Sequence, residues 1–312
     1  MNPVLPDEAV EFGTAARKAF EALGGVDAAR RAEEDPVLRT TEVAATLSSL
    51  GIAELDPRDD ADSLAAAAAL CEAAGRVALP YPVASALVRD AAGLPFAVVP
   101  DGTLRVDHAD LFPEWRIGSL NGSSGTATPV GERLATRLGP FVGDVAVTTL
   151  EPHAAHDLQL HVALAAWGVL GTVDRAVELA VEHVKGRIQF GKPIASFQAV
   201  QFQLADSAVA VAGLRELAAY TLWRLDAVPG AALTDVLALR VHAVDVARTV
   251  LRTCQQLHGA AGVCDEYDIS VLTRMAQPAL RLPWSAERTA EALAEAIQGD
   301  GFEGLFDHGL AG

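Results

Sequence analysis

The sequence predicts a mainly α-helical chain with a small β middle domain. Three observations carry that reading. Residues 1–92 are rich in Ala, Leu, Glu and Arg, all good helix formers. Between residues 93 and 157, Pro and Gly become frequent and short β-branched runs appear. From Leu158 onward, long apolar-striped segments alternate with short connections, the pattern of an antiparallel bundle. The expected organisation is an N-terminal helical domain over 1–92, a reduced β-domain over 93–157 and a C-terminal four-helix bundle over 158–312.

In the first domain a helix runs from Asp7 to Leu23. It opens on acidic residues that suit the positive end of the helix dipole and stops at Gly24-Gly25. A second spans Thr41 to Leu50 and ends at Gly51. A third spans Asp62 to Val77, with Asp62-Ser63 as its N-cap. Leu79-Pro80-Tyr81-Pro82 interrupts the pattern, which resumes from Val83 to Ala92. In the middle domain, Phe96 to Val99 and Val145 to Thr149 read as strands, and Asp101-Gly102 is a hairpin signal. Asn121 to Thr128 (NGSSGTAT) reads as a flexible loop. The bundle helices are expected at Leu158–Gly186, Pro193–Leu225, Ala232–Leu257 and Ser285–Ile297.

Composition excludes several functions. The 312 residues include 41 Asp+Glu against 24 Lys+Arg, a net charge of −17. Such a chain would repel a nucleic-acid backbone. With 51% hydrophobic residues it is not a disordered chain. Cys71, Cys254 and Cys264 form no CxxC and no secretory framework, so a reducing cytoplasm is expected. Residues 1–12 (MNPVLPDEAVEF) lack the basic and apolar regions of a secretory leader. The apolar run Val162–Val173 is too short to span a bilayer and reads as a buried core helix. His153-x-x-His156 with His161 lacks a well-spaced Cys or carboxylate set, so no metal is expected. G-x-S-x-G, P-loop and G-x-G-x-x-G patterns are absent.

Two segments carry chemistry. Arg187-Ile188-Gln189-Phe190-Gly191-Lys192-Pro193-Ile194 joins the first two long helices and is followed by Phe197-Gln198. Gln255-Gln256-Leu257-His258-Gly259-Ala260-Ala261-Gly262 closes the third, with Glu266-Tyr267 and Arg274 beyond it. An Arg beside a Gly-containing turn, with amides nearby, suits a pyrophosphate. Glycine at a helix end lets a ligand approach the backbone, although the same glycines also serve as a turn and a C-cap in any helical protein. Together, over residues 158 to 280, these segments resemble the C-terminal domain of the acyl-CoA dehydrogenase family. The resemblance implies an acyl-CoA dehydrogenase-like fold with FAD as cofactor. It also implies FAD contacts from Arg187, Ile188, Gln189, Phe190, Phe197, Gln198, Gln256, Leu257, His258, Gly259 and Ala260. Ala260 stands where the family has a second Gly.

The sequence also departs from the family. The reaction needs a base against the proton next to a thioester, usually a Glu just before the last helix. Here the stretch reads Arg281-Leu282-Pro283-Trp284-Ser285, and Glu287 lies further on. A minority of the family places the base on the first bundle helix, where His161 falls. Leu150-Glu151-Pro152 is too late and too isolated to serve as a flavin-facing strand. The retained segments are those that, in the family, grip FAD bound by a neighbouring subunit. The missing ones serve the subunit's own site.

The leading expectation is therefore a subunit of a heteromeric FAD-dependent acyl-CoA dehydrogenase, a cytoplasmic heterotetramer. It resembles the small subunits of actinobacterial steroid-catabolic members. The expected partner is a dissimilar acyl-CoA dehydrogenase subunit carrying the catalytic Glu, and the expected substrate is an acyl-CoA with a bulky, steroid-derived group. Two alternatives stand beside it. One is an autonomous homo-oligomer using an unconventional base such as His161. The other is a flavin-free structural or regulatory subunit.

Overall fold

A computed structural model describes residues 5–100, 104–131, 138–150 and 155–300. The N-terminal helices are α1 (Asp7–Ala22), α2 (Asp27–Glu34), α3 (Glu42–Ser49), α4 (Ala61–Arg76) and α5 (Val83–Leu87). Asp60 caps α4, its carboxylate accepting from the Ser63 amide at 2.7 Å. This places the cap ahead of the expected Asp62-Ser63. Helix α2 was not anticipated. It is one short Ala-Ala-Arg-Arg-Ala run whose Ala28, Ala29 and Ala32 are buried, and Arg30 anchors it by donating to Asp268 at 2.9 Å.

Strands β1 (Phe96–Val98), β2 (Arg105–Val106), β3 (Trp115–Gly118), β4 (Ser124–Pro129) and β5 (Gly143–Leu150) form a sheet in the order β1-β3-β4-β5-β2. Strand β1 runs parallel to β3; the other pairings are antiparallel. The expected loop at Asn121–Thr128 is therefore corrected. Only its start is a turn, in which the Asn121 carboxamide accepts from the Ser123 amide at 2.7 Å. The remainder is β4, paired on both edges, with Thr126 and Thr148 hydroxyls 2.9 Å apart across the strands. The Asp101-Gly102 hairpin signal and Glu151-Pro152 lie outside the described residues. Trp115, Ile117, Ala127 and Val145 give the sheet its own small core.

The C-terminal part holds α6 (Ala155–Gly186), a hairpin of β6 (Ile188–Gln189) and β7 (Lys192–Pro193), α7 (Gln198–Ala227), α8 (Leu233–His258), α9 (Asp268–Met275), α10 (Gln277–Arg281) and α11 (Ala286–Asp300). Helix α7 starts at Gln198 rather than at Pro193. Proline has no amide to give a helix, and the Ile194 amide instead donates to Arg187 O at 2.8 Å and closes the hairpin. Helices α9 and α10 were not anticipated either. Helix α6 is central, packed against α4, α7 and α8. It is long and apolar enough to cross a membrane, yet 67% of its most apolar window is buried within the protein.

Helices α4 and α6 touch backbone to backbone. A Cβ on Gly75 would overlap the Gly168 carbonyl, and one on Gly171 would overlap that of Glu72. Thr172 rivets the seam by donating to Gly75 O at 3.0 Å. Asp157, 4% exposed, ties the three parts together. It accepts from Arg58 at 3.1 Å and from Arg116, on β3, at 2.6 Å.

Candidate functional site

The two chemistry-bearing segments meet at one end of the bundle. His183 on the last turn of α6 stacks on His258 at the end of α8, with ring centroids 4.4 Å apart. The Arg187 amide donates to His183 O at 2.8 Å, so the hairpin leaves directly from this contact. Burial, then His258 and Arg187, lowers the pKa of His183, which favours a neutral ring beside the guanidinium.

The hairpin presents its side chains outward. Arg187, Ile188, Gln189 and Phe190 are all exposed, Phe190 by 91%. The Arg187 guanidinium makes no ion pair among the described residues. Phe190 and Gly191 form the two-residue turn, with φ of 51° and 77°. Positive φ at both positions belongs to the primed hairpin turns, which favour Asn-Gly. A phenylalanine there is strained and gains no burial in return. Strain of this kind persists where function uses it. Replacing Phe190 with Asn is expected to stabilise the isolated chain by about 1 kcal/mol, read as a higher urea midpoint.

Phe197 lies edge-on to Phe190 at 6.2 Å and beneath the Lys192 ammonium at 4.5 Å. Gln198 is exposed at the start of α7, and Gln256 is exposed on the last turn of α8. Gly259 takes φ 63°, and Gly259 and Ala260 are exposed. Gly262 is a close-approach glycine, since a Cβ there would overlap the Gln255 carbonyl. A free guanidinium, exposed amides and a glycine-bearing helix end thus share one surface, and they fit a pyrophosphate-bearing group such as FAD.

Two of the expected contact residues point inward. Leu257 and His258 are buried, at 8% and 9% exposure. Positions 254, 257 and 258 share one helix face, and Cys254 is also buried. That face points into the bundle, so Gln256 is the residue of this turn that reaches the surface.

His161 falls elsewhere. It lines a mostly apolar cavity of about 220 Å³ between α4, α5, α6, the β2 end of the sheet and α10. Its Nε2 is 3.1 Å from Ser85 Oγ, and Nδ1 is buried with no partner. Burial, helped by the charge of Arg240, pushes its pKa down to about 4. The folded pKa is below the unfolded one, so unfolding takes up a proton as pH falls. Stability from this group is complete above about pH 6.5 and is lost progressively toward pH 4, by about 3 kcal/mol. His161→Gln is expected to flatten that part of the pH–stability curve, measured by urea unfolding.

The sequence reading missed Arg240, Asp107 and Ser85, which line the same cavity. Asp107 is its carboxylate. Burial raises the Asp107 pKa against the lowering pull of the His108 amide and Arg39, although 36% of the side chain still reaches solvent. At the expected base position, Leu282 and Pro283 line the cavity and Trp284 is buried. Glu287 is exposed in the first turn of α11.

Residues 154–297 match the family model described as acyl-CoA dehydrogenase, C-terminal domain. The acyl-CoA dehydrogenase IpdE2 of Mycobacterium tuberculosis is 32% identical over 113 residues, 36% of this chain and 34% of that protein. The aligned stretch covers about a third or less of the curated relatives it matches. Two solved structures share the fold over 96% of this chain and 99% of theirs. They are the ChsE4-ChsE5 complex from Mycobacterium tuberculosis (TM-score 0.79, 17% identity) and a Tcur3481-Tcur3483 steroid ACAD variant (TM-score 0.78, 20% identity). Residues 154–297 thus resemble an acyl-CoA dehydrogenase C-terminal domain, and the chain shares the fold of these solved structures.

Proposed function

We propose that this chain is a subunit of a heteromeric, FAD-dependent acyl-CoA dehydrogenase, and that it completes the flavin site of a dissimilar partner. The observation that carries the reading is the hairpin at Arg187–Pro193. Its strained, exposed Phe190 and unpaired Arg187 face away from the chain's own sheet and core. Without ion pair or burial among the described residues, they suit contact with another subunit.

The outer face of α7 supports the same conclusion. Phe202 and Val209 are 58% and 72% exposed, and Ile188 on the hairpin and Val263 beyond α8 are 63% and 73% exposed. Phe202 and Val209, seven positions apart on one face of α7, would be covered in a protein interface. The partner proposed to cover them is another acyl-CoA dehydrogenase subunit, in a heterotetramer located in the cytoplasm. The names of the ChsE4-ChsE5 and Tcur3481-Tcur3483 assemblies supply the precedent for pairing and, for the second, for a steroid-derived substrate.

Bound FAD would accept hydride from the β-carbon of the acyl-CoA. In this chain, Arg187 would neutralise the pyrophosphate with a charge-assisted pair. The Gln189, Gln198 and Gln256 amides would hydrogen-bond the same half of the cofactor. The exposed Gly259 backbone would let it approach closely. Phe190 would close the contact against water. The α-proton would be removed by the partner's Glu, since this chain's base position holds Leu282, Pro283 and Trp284.

The test is a set of three variants in the co-purified complex. Replacing the partner's Glu with Gln should abolish turnover of acyl-CoA, whereas His161→Ala and Asp107→Asn in this chain should leave it within about twofold. Loss of turnover in either of the latter would favour a second reading, an autonomous enzyme. The observation behind that reading is that His161 and Asp107 both face one cavity.

A further inference from the structure

Arg240 is a buried charge without a counter-charge among the described residues. It occupies a core position of α8, in the stripe of Val236, Leu237, Ala243 and Val244, and is 6% exposed. Nη1 donates to Ala279 O at 3.2 Å. Nη2 donates to Leu282 O at 2.7 Å and to Trp284 O at 3.1 Å. These carbonyls fix the plane of the guanidinium but bring no formal charge. No ion pair to Arg240 exists among the described residues, and its Nε is buried with no hydrogen-bond partner. Burial lowers its pKa to about 10, so it stays charged at neutral pH.

A cation held this way is costly unless an anion joins it. Arg240 lines the 220 Å³ cavity, and so does His161, whose Nδ1 is the second unpartnered polar atom there. If Ser85 Oγ donates to His161 Nε2, the ring proton lies on Nδ1 and is free to donate. Leu79, Val83, Val169 and Met275 supply apolar wall, and Asp107 approaches from the β2 side. The volume exceeds the cavity of about 150 Å³ that accommodates benzene, so a ring or branched body fits.

We propose that this cavity binds a small carboxylate with a compact apolar body, its oxygens accepting from Arg240 Nε and His161 Nδ1. The site uses this chain's residues alone. It does not depend on flavin or on the partner, and its failure would leave the subunit reading untouched.

The probes are cyclohexanecarboxylate and its neutral isostere cyclohexylmethanol, titrated calorimetrically into the purified protein in the assembly in which it is isolated. The acid should bind once per chain, and the alcohol at least about tenfold more weakly, because charge-assisted bonds are lost. Arg240→Met should remove acid binding and leave weak alcohol binding. Equal affinity for acid and alcohol in the unmodified protein would overturn the proposal, as would no acid binding at all. Unchanged acid affinity in folded Arg240→Met would do the same. The acid–alcohol comparison needs no variant, so the proposal stays testable if Arg240→Met does not fold.

Discussion

Arg187→Ala in the assembled complex is expected to weaken flavin binding by about 10- to 100-fold, the loss of one or two hydrogen bonds to a charged group. Stability should be unchanged. Arg187 is exposed and makes no ion pair among the described residues, so its removal leaves no buried group unsatisfied. The readout is quenching of flavin fluorescence as FAD is titrated into the stripped complex, with urea unfolding as the control. Lys in its place should restore only part of the affinity. An ammonium keeps the charge but not the two-pronged geometry of the guanidinium. Flavin affinity unaffected by Arg187→Ala would remove the hairpin from the cofactor site.

Gly75→Ala or Gly171→Ala should destabilise the chain by about 3 kcal/mol or prevent folding. In each case the new methyl would overlap a backbone carbonyl of the facing helix, Gly168 O or Glu72 O. Neither carbonyl can move without parting α4 from α6, which carries the largest shared core. The Thr172 bond to Gly75 O would be stretched as well. A lower urea midpoint with an unchanged slope is the expected signature. Gly186→Ala is the matched control. A Cβ there meets nothing within 4 Å, and Gly186 ends α6 rather than crossing α4.

Much of the fold was legible in the sequence because its long helices announce themselves. Helices α1, α4, α6 and α8 pair apolar periodicity with acidic starts or glycine stops, and the expected limits fall within a few residues of those found. Short elements were less legible. Helices α2, α9 and α10 hold too few residues to show a period, and they exist because neighbours bury them. Strand β4 was hidden for another reason. NGSSGTAT has the composition of a loop, and its strand character comes from being paired on both sides.

The candidate site divides in the same way. The Arg187 and Gly259 segments were readable because turns depend on local residue chemistry. The split between outward Gln256 and inward Leu257 and His258 was open to helix geometry, since Cys254 marks the buried face. Arg240 also left a trace, a charged residue among Val236, Leu237, Ala243 and Val244. What no local pattern showed was that Ser85, Asp107 and His161, far apart in sequence, converge on the cavity it lines. That convergence is made by the packing of α4, α6 and the sheet.

The central claim is that this chain completes a flavin site in trans. The measurement that tests it most directly is the visible flavin absorbance of the purified chain, alone and co-expressed with a full-length acyl-CoA dehydrogenase subunit, with native mass recorded for both. The account predicts a colourless chain alone and a yellow mixed oligomer with flavin in fixed proportion to this chain. Stoichiometric flavin in the chain alone, or a mixed oligomer without flavin, would contradict it.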